Sequence, residues 1–99
     1  MNTKITYLYR DAGNYKNWNE VIIAGQITTE QITPYLLDGR CFIANETGLK
    51  DMHFTPTNSD DHNWHEIESL EPTKDLPTTS LTANTLLKNL KKMKQKHLL

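Results

Sequence analysis

Two histidines, two aspartates and a glutamate fall within seven positions of SDDHNWHEIE, residues 59–68. Imidazole nitrogens and carboxylate oxygens bind zinc and exchange protons near neutral pH, so this cluster is where chemistry is first sought. If the segment is helical, His62, His65 and Glu66 share one face, and Asp61 or His53 supplies a further ligand or orients an imidazole. A zinc ion held there would activate water for hydrolysis, with Asp61 positioning that water or acting as its base. If the segment is a strand, His65 and Glu66 point to opposite faces and the chelate falls apart. The order HxxHE is not the HExxH of zinc proteases. A plainer reading ranks ahead of the metal. In it Ser59, Asp60 and Asp61 cap or turn the chain, Trp64 anchors the core, and His65 is a satisfied polar residue. No catalytic residue is assigned, and no cofactor is expected, zinc being the alternative.

The second group is YLYRDAGNYKNW, residues 7–18, where Tyr7, Tyr9, Tyr15 and Trp18 interleave with Arg10 and Lys16. Aromatics stack on unpaired bases while cations meet phosphates, so the composition suits single-stranded nucleic acid. It suits a protein interface equally, because Tyr, Trp and Arg make good anchors. Tyr7 and Tyr9 sit in a strand pattern and are expected in the core. Tyr15, Trp18, Arg10 and Lys16 are the expected partner contacts. Cys41, the only cysteine, rules out an intrachain disulfide and lies among apolar neighbours in RCFIAN, where a buried, inert thiol is expected.

These side chains need a scaffold. KITYLYR (4–10) alternates as a strand, DAGNYKNWN (11–19) carries turn chemistry, and EVIIAGQI (20–27) reads as the returning strand of a hairpin. TTEQITPYLLDG (28–39) reads as a short helix, with Thr28 or Thr29 as cap and Gln31 completing a capping box. Pro34 fits such a helix only in a first turn, which offers Thr33 as an alternative start. RCFIAN (40–45) is a third strand, and residues 46–61 form a long polar connection of the kind that often carries function. WHEIESLEP (64–72) is ambiguous between helix and strand, with Pro72 as its end. From residue 81, Leu86, Leu90, Met93 and His97 form an apolar stripe widened by Ala83 and Leu87. That stripe must be buried against the sheet, a second copy or another protein.

The expected fold is α+β: a small antiparallel sheet with one short helix, plus a C-terminal amphipathic helix. The expected organisation is a compact domain over 1–72, a linker over 73–80 and a basic helix over 81–99, the last a candidate for homodimerisation. Residues 1–80 hold six Lys/Arg against twelve Asp/Glu, while residues 81–99 hold five lysines and no acid. The chain as a whole is therefore no strongly basic nucleic-acid binder, and the tail is suited to something acidic, its own domain included. No apolar run approaches a membrane span, the opening residues lack a signal-peptide pattern, and a cytoplasmic setting with no membrane partner is expected.

Three stretches, YRDAGNYK, CFIANETGL and DDHNWHE, together resemble a pattern found in short, uncharacterised bacterial proteins. The resemblance covers residues 7–66 and implies one domain in which these stretches belong together; it implies no activity. The expected function is a small binding protein acting through a protein partner, and an inhibitor-type module from a mobile element fits its size and acidity. A metal-dependent hydrolase using the DDHNWHE cluster and a nucleic-acid binder using the aromatic loop and lysine helix are the alternatives.

Overall fold

Alternation in NTKITYLYR builds the central strand, β1 (Asn2–Arg10). Ile5, Tyr7 and Tyr9 project to one face and are fully buried. A loop over residues 11–15 returns the chain, with Asn14 in the left-handed region at φ 67° and Asp11 accepting the Tyr15 N–H at 2.9 Å. β2 (Lys16–Ile23) then pairs antiparallel with β1. It begins earlier than its apolar run because its inward polar residues find partners. Asn17 Nδ2 donates to the Met52 carbonyl at 3.1 Å, and Asn19 Nδ2 to the Tyr7 hydroxyl at 2.9 Å. The structure, a computed structural model, describes residues 1–54 and 62–97. Its class is α+β, as expected, with one antiparallel sheet in the order β2, β1, β4 (Trp64–Thr73), β3 (Cys41–Ile43).

The segment after β2 combines both of its possible helix starts. Thr28 caps α1 (Thr29–Ile32), and Gln31 completes the capping box. A 3-10 turn over Thr33–Tyr35 follows, with Pro34 at its start, where a missing N–H costs nothing. After β3 (Cys41–Ile43) comes a single helical turn, α2 (Ala44–Thr47), within what the sequence presents as strand end and polar connection. Gly48 ends it at φ 94°, and a Cβ there would stand 2.9 Å from Leu81 Cδ1, so only glycine fits without movement.

Residues 64–73 resolve as strand: β4 (Trp64–Thr73) pairs with β1 along its length and with β3 at its start. The pairing with β1 shifts register between Thr6 and Tyr7, which face Ser69 and Ile67. Glu68 is the extra, bulged residue. The bulge keeps Ile67 and Leu70 on the same side three residues apart, which explains the helix-like spacing in a strand. Pro72 does not end the element, because β3 pairs only with Trp64–Glu66 and leaves that flank of β4 without a ladder at Pro72.

α3 (Ala83–His97) buries Ala83, Leu86, Leu90 and Met93. These join Ile5, Tyr7, Ile23, Ile32, Phe42 and Ile43 in one core cluster. The stripe that the sequence leaves available to a second copy is thus taken up by the chain's own sheet. Residues 73–80 are also tied down, since Thr78 N–H donates to the Ile22 carbonyl at 2.8 Å and Thr78 Oγ1 accepts the Ile22 N–H at 2.9 Å. The division into domain, linker and helix therefore does not separate independent bodies. Among the described residues no helix is long and apolar enough to cross a membrane.

Candidate functional site

His65 projects from β4 to the inner face of the sheet, between its strand partners Tyr9 and Phe42, and is 1% exposed. A buried imidazole needs both nitrogens satisfied. Its Nδ1 lies 3.2 Å from the Asn63 carbonyl, and its Nε2 accepts the Met52 N–H at 2.9 Å. These partners assign the neutral ring with its hydrogen on Nδ1. Burial drives its pKa below the ordinary 6.5, against the pull of the Asn63 bond and the Asp51 charge.

The chain that follows α2 crosses the inner face to reach this ring. Tyr7 hydroxyl donates to the Lys50 carbonyl at 2.8 Å, and Asn17 and His65 grip Met52 on either side. The crossing brings Asp51 and His53 beside His65. His53 Nδ1 pairs with Asp51 Oδ1, and its Nε2 lies 2.6 Å from the His62 carbonyl. Both partners are acceptors, so both contacts are met together only by the doubly protonated ring. Asp51 Oδ1 also accepts the His53 backbone N–H at 2.9 Å and stands 3.5 Å from His65 Nε2. Partial burial pushes the Asp51 carboxyl upward, but the His53 hydrogen bonds and the neighbouring imidazole charges outweigh it and hold the pKa below 3.8. The Tyr9 ring packs against all three imidazoles, with centroids 4.1 Å from His53 and 5.2 Å from both His62 and His65. Its hydroxyl donates to the His62 carbonyl at 2.9 Å.

The DDHNWHE residues do not meet in this way. Glu66 lies on the opposite face from His65 and pairs with Arg10, whose Nε donates to Oε2 at 2.8 Å. His62 contributes its main-chain carbonyl to the cluster, while its exposed ring accepts the Trp64 N–H at 3.0 Å through Nδ1. Asp61 lies outside the described residues. Among the described residues of the sequence cluster, only His65 brings a ring nitrogen, Nε2, to the centre. His53, a candidate further ligand, joins it, and Asp51 was not foreseen; its only signal was the D-x-H spacing of DMH in a long polar segment.

The partner-contact candidates gather elsewhere. Tyr15 and Trp18 are 72% and 49% exposed. Lys16, Trp18 and Glu20 face outward from β2, an edge strand, on the side of the sheet that carries the Arg10–Glu66 pair. Tyr7 and Tyr9 are core residues, as expected. Cys41 is half-buried, and burial together with the Glu66 charge raises its pKa against Arg40. The lysine helix turns part of its charge onto the chain itself. Lys94 Nζ donates to the Pro34 carbonyl at 2.8 Å, while Lys96 and His97 reach Glu46 at 3.8 and 2.9 Å. A cleft of about 480 Å³ opens beside α1, lined by Thr3, Ile27, Leu70 and Pro72 among others. Thr3 Oγ1, its buried polar group, is already bonded to the Gly25 carbonyl and the Ile27 N–H. No protein-family model, curated protein or solved structure matches this chain.

Proposed function

We propose that the protein acts by binding a protein partner, through the outer face and open edge of β2 around Tyr15 and Trp18, with Arg10 and Lys16 at the margin. The observation that carries this is the exposure of two large aromatics at one end of an edge strand. Ile22 turns its N–H and C=O away from β1 to Thr78. By alternation, Lys16, Trp18 and Glu20 turn theirs to the same edge, and no strand among the described residues pairs there. An extended peptide can add to such an edge while the aromatics anchor its side chains. Nucleic acid is less well served: Arg10 is engaged by Glu66, and Glu20 follows Lys16 and Trp18 on the same outward row.

The test compares wild type with Tyr15→Ala/Trp18→Leu as baits in extracts of the native host, with quantitative mass spectrometry of what each retains. A partner retained by wild type and depleted at least tenfold by the variant, with the variant fully folded at the assay temperature by circular dichroism, supports the reading. Equal retention overturns it. Salt-sensitive binding of single-stranded oligonucleotides by wild type, lost in the variant, would replace it with the nucleic-acid reading.

A further inference from the structure

Asp51, His53 and His65 have an arrangement that core packing does not require. Each imidazole has its far nitrogen turned to a main-chain carbonyl: His53 Nε2 to His62 at 2.6 Å and His65 Nδ1 to Asn63 at 3.2 Å. Those two contacts turn the near nitrogens toward Asp51: His53 Nδ1 pairs with Oδ1, and His65 Nε2, which accepts the Met52 N–H, stands 3.5 Å from it, so that the three atoms lie within 4.8 Å of one another. Metal-binding histidines are held in the same manner. The far N–H goes to a carbonyl or carboxylate, which fixes the tautomer and leaves the near lone pair for the ion.

We propose that Asp51 Oδ1, His53 Nδ1 and His65 Nε2 form a binding site for a divalent transition-metal ion of the zinc type. Two imidazoles and a carboxylate suit zinc, whereas calcium and magnesium favour all-oxygen sets. Tetrahedral zinc at about 2.0–2.1 Å from its ligands sets donors about 3.3 Å apart. Asp51 Oδ1 and His65 Nε2 stand at 3.5 Å. Two hydrogens now bridge the donors: one between His53 and Asp51, the other the Met52 N–H on His65 Nε2. An ion replaces the first and obliges the Met52 amide to turn away, so binding releases a proton and reshapes the crossing over residues 50–54. Three protein ligands leave one tetrahedral position for water. The ion would staple this crossing to β4, a role separate from partner binding at Trp18 on the other face.

The experiment is calorimetric titration of untagged protein with Zn²⁺, with Co²⁺ absorption as a report on ligand geometry. One ion per chain is expected, with affinity reduced at least tenfold in His53→Ala and in Asp51→Asn. His62→Ala and Glu66→Gln should stay within about twofold of wild type, because His62 contributes its main chain and Glu66 lies across the sheet. Asp51→Asn preserves the side-chain shape, so it remains informative if His53→Ala does not fold. Absence of saturable one-to-one binding overturns the proposal. So does binding that survives both His53→Ala and Asp51→Asn, or that is lost in His62→Ala.

Discussion

Leu8 is 2% exposed although it lies on the outer face of the sheet, apart from the main core cluster. Its partner on β2 is Trp18, at a pair whose hydrogen-bonding groups point away from each other, the arrangement in which opposed side chains lie closest. Trp18 is therefore expected to cover Leu8 as well as to face solvent. With the residue 49% exposed, roughly 125 Å² of a tryptophan's ~250 Å² is withdrawn from water. At about 25 cal/mol per Å² that is worth ~3 kcal/mol, reduced to ~2 kcal/mol when a compact unfolded chain is the reference. Truncation also uncovers Leu8, which adds a fraction of the ~1.5–3 kcal/mol that a buried leucine contributes. Trp18→Ala should thus cost ~2–4 kcal/mol, whereas Tyr15→Ala, at a position 72% exposed, should stay within about 0.5 kcal/mol. Urea unfolding followed by far-ultraviolet circular dichroism measures both, and Trp18→Leu should recover about half of the Trp18→Ala loss. A loss below about 0.5 kcal/mol in Trp18→Ala would show that something other than the indole covers Leu8, and the argument would fail. The result also governs the interaction assay, which needs the leucine variant so that lost binding is not lost folding.

Three further outcomes test the architecture and the site. Leu90→Ala should destabilise by ~3–5 kcal/mol in the same urea assay, since Leu90 is 2% exposed in the shared core and such truncations leave a cavity; a loss under about 1 kcal/mol would make α3 peripheral. Because the folded pKa of His65 is depressed from 6.5, the unfolded chain takes up a proton that the folded chain refuses as pH falls through that value, so stability should decline from about pH 6.5 downward. Asp51, His53 and His62 are the titratable groups bearing on it, and subtracting the profile of His65→Gln isolates its contribution; a wild-type profile no steeper than the variant's between pH 7.5 and 5 refutes this. Asp51 has the same sign at lower pH, its stabilisation being present above 3.8 and lost as pH falls through its depressed folded value.

Local features were legible because their causes are local. The Thr28–Gln31 capping box is a bargain between residues three apart, and it forms as the sequence spells it. The Leu86, Leu90 and Met93 stripe has helical spacing and becomes a buried helix face. The period-two pattern of KITYLYR becomes the central strand. Illegible features depended on the partner. WHEIESLEP looked helical because a bulge at Glu68 shifts the phase of the strand, and only pairing with β1 reveals a bulge. NYKNWNE reads as turn until Tyr7 and Met52 offer its asparagines something to bond.

The sequence by itself therefore determined an α+β class, a capped short helix, a basic amphipathic helix and which imidazole, carboxylate and aromatic side chains were available to a site. Tertiary structure decided which of them meet. It placed Glu66 and His65 on opposite faces of one strand and carried Asp51 and His53 to His65 from another part of the chain. It also spent the apolar face of α3 inside the core. The reason is that a strand's alternation separates sequence neighbours, while contact between distant segments depends on where the backbone hydrogen bonds of Lys50, Met52 and Asn63 find partners.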